Sequence, residues 1–409
     1  MSAAQTILKY YPFGRLARLL DGHAPGDPRI HVPGHPRGVP IALSIGEPQD
    51  DPPPLIAEEL GKAAAGWSRY PPPRGTPAYL EACAAWLARR YGVPEAMVDP
   101  ASAIAAVPGT REGLFFAALA ALPTAPGAGA GGAPAPAILM PNPCYHVYPS
   151  AAVATGAEPV LVPATAATGH LPDYAALPEN LLERTALAYY CTPANPQGAA
   201  ADLATLTGLI ALARRHDFVI AFDECYAETY TSAPPAGAMQ AVAALGGGLD
   251  HVLTFHSLSK RSSAPGLRCG FVAGDPAMVE AIDTLMRTGG AGVPFPTLAA
   301  GARLWSDEAH ARRIRARYQE NFAIAARVLG NRFDFRTPDG GFFLWLDVGD
   351  GEAAALKLWR AAGIRVLPGA YMCRDAADGT NPGARYIRVA LVYGPALTEA
   401  ALARLVEVL

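Results

Sequence analysis

Between residues 137 and 273 the chain alternates short uncharged apolar runs with amphipathic helical stretches, and this alternation narrows the possible fold more than any other feature. The runs are Ala137–Pro141, Pro159–Val162, Thr185–Cys191, Phe218–Phe222, His251–Phe255 and Cys269–Ala273, with helical spacing at Leu203–Arg215 and Pro276–Arg287. A strand that is apolar at every position has no face for water, so it belongs in a sheet covered on both sides. Strands joined through helices run parallel. The expected fold is therefore α/β, a large domain with a mainly parallel central sheet covered by helices. In such sheets ligands collect beyond the carboxyl ends of the strands, so the polar residues just after the runs are the place to look.

After about Phe295 the pattern changes. A charged helix (Ser306–Leu329), the segment Gly341–Val348, a helix at Ala353–Ala362, strands at Ile364–Leu367 and Arg385–Val392 and a helix from Thr398 imply a smaller α+β domain. The Pro- and Gly-rich first 45 residues are expected to pack on it or on a partner subunit. Residues 49–297 would form the large domain, and residues 1–48 with 298–409 the other. Pro123–Ala137 holds only small residues and helix breakers and reads as a surface loop between a helix and a strand.

Composition excludes several function classes. A chain that is 51% hydrophobic and 17% charged is not disordered, and 33 basic against 36 acidic side chains are too balanced to steer a nucleic acid. The longest apolar stretch, Gly113–Leu122, is too short for a membrane span, and the start lacks a signal-peptide core, so a cytoplasmic protein is expected. Six scattered cysteines without a C-x-x-C pair read as reduced core residues. His31 and His35 are separated by Pro33 and Gly34, so no helix aligns them, and no metal site is expected.

Three strand ends carry unusual polar residues. Thr185–Cys191 leads into Asn195-Pro196-Gln-Gly198, Phe218–Phe222 into Asp223-Glu224-Cys-Tyr226, and His251–Phe255 into His256-Ser257-Leu-Ser259-Lys260. Singly, each is an ordinary turn, cap or solvated group. Together they suggest one chemistry. A lysine at a strand end, flanked by serines, can form a Schiff base to an aldehyde while the hydroxyls hold a phosphate. A neighbouring carboxylate can keep a pyridinium nitrogen protonated, and a tyrosine and an asparagine can bond a phenolate oxygen on the same ring. Pro108-Gly109-Thr110-Arg111 opens a helix whose free N–H groups offer a phosphate seat, and Arg268 can add a clamp.

This ordered set, with Arg388 in Tyr-Ile-Arg-Val-Ala, resembles the pyridoxal-phosphate-dependent aminotransferases of classes I and II, fold type I, from about Leu43 to the C-terminus. The resemblance implies pyridoxal 5'-phosphate as cofactor and amino acids and 2-oxo acids as substrates. Lys260 would carry the cofactor and move the proton between substrate and cofactor. Asp223 would pair with the ring nitrogen, and Asn195 and Tyr226 with the ring oxygen. Gly109, Thr110, Ser257, Ser259 and Arg268 would hold the phosphate, with Arg111 offering its backbone. Tyr145 would stack on the ring. Arg388, helped by Gly46, would clamp the substrate α-carboxylate. Tyr70, in Tyr-Pro-Pro-Pro-Arg-Gly75, would reach the partner subunit's phosphate, which implies a homodimer with shared sites.

The loop His256–Asp275, Tyr11-Pro12-Phe13 and Leu43-Ser-Ile-Gly-Glu-Pro48 are most similar to bacterial succinyldiaminopimelate aminotransferases. That implies transfer between glutamate and N-succinyl-2-amino-6-oxopimelate in lysine biosynthesis. The alternatives are a class I aminotransferase for aspartate, alanine or aromatic substrates, or a C–S lyase. A substrate with several carboxylates needs further cations, for which Arg37, Arg69 and Arg287 are available.

Overall fold

The computed structural model describes residues 2–122, 134–376 and 378–409, so most of the expected Pro123–Ala137 loop lies outside the described residues. In chain order the strands are β1 (Ile41–Ala42), β2 (Ile104–Val107), β3 (Ala137–Asn142), β4 (Glu158–Pro163), β5 (Thr185–Cys191), β6 (Val219–Asp223), β7 (Val252–Ser257), β8 (Gly270–Gly274), β9 (Phe343–Asp347), β10 (Ile364–Arg365), β11 (Leu367–Pro368) and β12 (Tyr386–Ala390).

Seven of them form the central sheet in the order β2-β8-β7-β6-β5-β3-β4. The pairs β4·β3, β3·β5, β5·β6 and β6·β7 are parallel, as the alternation implies. β8 runs against both its neighbours. The link from β7 holds only the short helix Leu258–Arg261 and the turn Pro265–Leu267, too little to recross the sheet before pairing. β2, at the sheet edge, is fully buried but only four residues long, too short for an apolar run to stand out in the sequence.

Along β5 alternate residues go to opposite cores. Ala188 and Tyr190 join a cluster with Trp86, Leu206, Ile210 and Leu298. Leu187 and Tyr189 join another with Leu114, Tyr148 and Ile282. Helices therefore cover both faces, which is why the strand needs no polar positions.

A separate core gathers Tyr318, Phe322, Phe342, Leu346, Ile387, Val389 and Leu402 around the three-stranded antiparallel sheet β11-β12-β9. The N-terminal segment packs here: β1 pairs with β10, and Leu16 and Leu20 bury against Leu367, Tyr371 and Met372. Local chemistry shifts some expected boundaries. The helix expected from Ser306 begins at Glu308, because Asp307 caps it by accepting from the Ala309 N–H. The strand expected at Ile364–Leu367 divides, one part pairing with β1 and the other with β12. The last helix starts at Pro395, a residue suited to a first helical position, rather than at Thr398. Among the described residues no helix is long and apolar enough to cross a membrane.

Candidate active site

The carboxyl ends of β5, β6 and β7 lie side by side, with Cys191, Asp223 and Phe255 in register. Asp223 is buried, and burial raises its carboxyl above the usual range. Two donors oppose that shift. The Tyr148 hydroxyl donates to Oδ2 at 2.8 Å, and the Cys225 N–H donates to Oδ1 at 3.4 Å. Tyr148 is fully buried, with its ring stacked on Tyr189 of β5 at 4.5 Å and 12°. The sequence reading assigned Tyr148 no role; its position three residues after Tyr145, at the start of the helix Val147–Thr155, was the available signal.

β7 ends at Ser257, and the next turn carries Ser259 and Lys260. The Ser259 N–H donates to Ser257 Oγ at 3.1 Å, and the two hydroxyls are 2.9 Å apart. Lys260 Nζ donates to the Gly46 carbonyl at 2.6 Å and lies 5.2 Å from the Phe342 ring centroid. Burial, helped by the Arg388 and Arg111 guanidiniums and opposed by Cys225 and Glu47, pushes this amine down to about 8.

Gly109 enters the helix Thr110–Ala121 at φ 111, a left-handed conformation, and a Cβ there would collide with Arg268 Nη2. No side chain caps this helix, so its first N–H groups stay open. Arg268 is held beside them by the Glu112 carboxylate, to whose two oxygens Nη2 donates at 3.1 and 2.9 Å. One cavity of about 110 Å³ brings together Gly109, Thr110, Arg111, Tyr145, Ser257, Ser259, Lys260 and Arg268 from the expected set, and adds Cys225. Arg111 Nε donates to the Tyr145 hydroxyl at 3.1 Å.

A second group stands where β12 meets the N-terminal segment. Arg388 donates from Nη1 to Asn195 Oδ1 at 3.0 Å and from Nη2 to the Ser44 carbonyl at 2.7 Å, with its guanidinium 4.2 Å from the Phe343 ring centroid. Its Nε is buried with no hydrogen-bond partner among the described residues, and burial lowers the group to about 10. Tyr226 is buried against Phe342 and Phe343. Tyr70, by contrast, is 96% exposed and borders a surface groove with Arg287, Gly290 and Gly292. Arg37 and Arg69 are exposed, and Arg287 is paired with Asp283 at 3.0 Å. None of the six cysteines is bonded to another.

A family model described as "Aminotransferase class I and II" matches residues 39–409. The chain belongs to that family. This aminotransferase is similar to 4-dedimethylamino-4-oxo-anhydrotetracycline transaminase OxyQ of Streptomyces rimosus, at 33% identity over 91% of this chain and 94% of that one. It is 29% identical to LL-diaminopimelate aminotransferase of Moorella thermoacetica, over 91% of this chain and 92% of the relative. Among solved structures, an aminotransferase from Neisseria meningitidis Z2491 superposes with a TM-score of 0.87 at 36% identity, covering 98% of this chain and 99% of the other. Class I and II aminotransferases use pyridoxal 5'-phosphate. The residues present fit that group. An uncapped helix start with a glycine that must stay glycine suits a phosphate, and a buried carboxylate suits a protonated ring nitrogen.

Proposed function

We propose that this aminotransferase moves an amino group between glutamate/2-oxoglutarate and N-succinyl-2-amino-6-oxopimelate, as in lysine and diaminopimelate biosynthesis. The observation that carries the reading is the Lys260 amine, lowered to about 8, in one cavity with an open helix start and two serine hydroxyls. When bound, pyridoxal 5'-phosphate supplies a ring that withdraws electrons from the substrate α-carbon. Lys260 would move the proton between that carbon and the cofactor, a role that needs an amine able to be neutral near neutral pH. Asp223 holds the proton on the ring nitrogen, and Tyr226 and Asn195 bond the ring oxygen. Gly109, Thr110, Arg111, Ser257, Ser259 and Arg268 hold the phosphate, and Tyr145 covers a ring face. Arg388 and Gly46 fix the substrate α-carboxylate.

The substrate assignment is supported by the lysine loop and by the LL-diaminopimelate aminotransferase relative. The relative named for anhydrotetracycline favours a second reading, the same transfer with a different acceptor. With 2-oxoglutarate as acceptor, N-succinyl-LL-2,6-diaminopimelate should exceed aspartate, alanine and phenylalanine in kcat/KM by about tenfold, the worth of one charge-assisted hydrogen bond. A better aspartate or aromatic donor refutes the substrate and keeps the transaminase.

The proposed active unit is a cytoplasmic homodimer in which Tyr70 reaches the partner's phosphate, with residues 49–297 as the cofactor-holding domain. Mixing Lys260→Ala and Tyr70→Phe protomers should restore activity, since one site of the hybrid carries neither lesion. No recovery after verified exchange refutes shared sites.

A further inference from the structure

We propose that Arg374 is the guanidinium that receives a substrate carboxylate remote from the α-carboxylate, which makes it a specificity-determining residue; the proposal rests on the aminotransferase reading above. Arg374 is far from the site in sequence but tied to it in space. Asn142, the last residue of β3, stands at the carboxyl edge of the central sheet. Its side chain grips the Arg374 backbone from both sides: Nδ2 donates to the Arg374 carbonyl at 2.9 Å, and the Arg374 N–H donates to Oδ1 at 3.1 Å. Two residues on, the Cys144 N–H donates to the Met372 carbonyl at 3.0 Å. Segment 372–374 is thus fastened to the turn that delivers Tyr145 to the lysine cavity.

The side chain is a half-buried cation with no ion-pair partner among the described residues. Its guanidinium lies 4.0 Å from the Tyr10 ring centroid, and its one side-chain hydrogen bond among the described residues runs from Nη1 to the neighbouring Cys373 carbonyl at 3.1 Å. The groups that act on it are Cys144, Tyr10, Arg15 and Cys373, with no carboxylate among them, and burial lowers its proton affinity. A desolvated guanidinium is costly unless an anion pairs with it. Arg374 also joins Arg111 and Arg388 in acting on one half-buried imidazole, His146, which burial and these three cations push down to about 4. Among the described residues Arg388 donates to an amide and a carbonyl oxygen, and Arg111 to a tyrosine hydroxyl. Three guanidiniums acting on one imidazole call for a ligand that brings anionic groups.

The proposed phosphate seat is at Gly109 and Arg268, and the proposed α-carboxylate partner is Arg388, which leaves a further anion for Arg111 or Arg374. Arg111 is exposed and engaged with Tyr145, whereas Arg374 is half-buried and clamped, so a bidentate pair there is the stronger one. Arg374 also borders a second cavity of about 190 Å³ with Ile7, Pro149, Val153 and Leu161 as apolar walls. Tyr145 lines the lysine cavity and Pro149 this one, four residues further along the chain. An occupant of both needs a methylene chain between its carboxylates, not the short arm of aspartate.

Calorimetric titration of the holoenzyme with pimelate and with heptanoate, equal in length but differing in one terminal carboxylate, tests this. The wild type should bind pimelate at least tenfold more tightly than heptanoate, and Arg374→Met should cut that ratio below threefold. Asn142→Ala, which keeps the guanidinium but frees its backbone, should also lower the ratio; it carries the test if Arg374→Met does not fold. Arg388→Lys should weaken both acids and leave the ratio. A wild-type ratio near one overturns the proposal, as does an unchanged ratio in Arg374→Met with lowered thermal stability, which would make Arg374 an anchor for Tyr10 only. Spectral conversion of the bound cofactor by glutamate is read on the same samples. Conversion with an unchanged ratio overturns Arg374 alone, and a collapsed ratio without conversion overturns the transaminase reading alone.

Discussion

Replacing Tyr148 by phenylalanine should destabilise the protein without its cofactor more than the protein with it. The substitution removes one oxygen and keeps the ring that stacks on Tyr189 at 4.5 Å. What is lost is the 2.8 Å hydrogen bond to Asp223 Oδ2, leaving this buried carboxylate with the longer 3.4 Å contact from the Cys225 N–H. A hydrogen bond to a charged buried group is worth about 1.5–3 kcal/mol, and the cost of leaving that charge under-paired is of the same order. In the holoenzyme the ring nitrogen supplies a second donor, so the loss there should be smaller by about 1 kcal/mol or more. Burial raises the Asp223 carboxyl while Tyr148 lowers it, so Tyr148→Phe moves the group further up. Once protonated, the carboxyl no longer needs the donor, so the apoprotein deficit should shrink on acidification and be largest above the carboxyl's titration. Urea unfolding of both proteins, with and without cofactor and at two pH values, reads this directly. Equal losses in apo and holo forms, or an apo loss below about 0.5 kcal/mol, would refute the view that Tyr148 holds Asp223.

Two further outcomes follow from the same cavity. Uptake of pyridoxal 5'-phosphate by the apoprotein should accelerate with pH and level off above about 8, because a lowered Lys260 is half neutral there, whereas a lysine at 10.5 would be neutral in only about one molecule in 300. A midpoint near 10.5, followed by absorbance, rules out a desolvated amine. Gly109→Ala should weaken cofactor binding by about tenfold or more, from left-handed strain of about 1–2 kcal/mol and displacement of Arg268. An unchanged dissociation constant by equilibrium dialysis refutes this use of the glycine.

The sequence by itself determined the features that depend on near neighbours. A parallel, doubly covered sheet is written in runs such as Thr185–Cys191, because burial on both faces leaves no position for a charged side chain within the strand. Asp223 and Lys260 were legible because strand ends deliver their chemistry within about five residues of where the run stops. The tertiary structure alone decided the pairs between distant segments. Lys260 meets Gly46 across 214 residues, Arg388 meets Asn195 across 193, and Asn142 grips Arg374 across 232. Tyr148 reaches Asp223 across 75 residues only because β5 and β6 are neighbours and the helix Val147–Thr155 packs over that face. The reversal of β8 belongs to the same class. An apolar run specifies that a strand is buried but not its direction, which is set by how far the connecting chain can travel before backbone groups must pair.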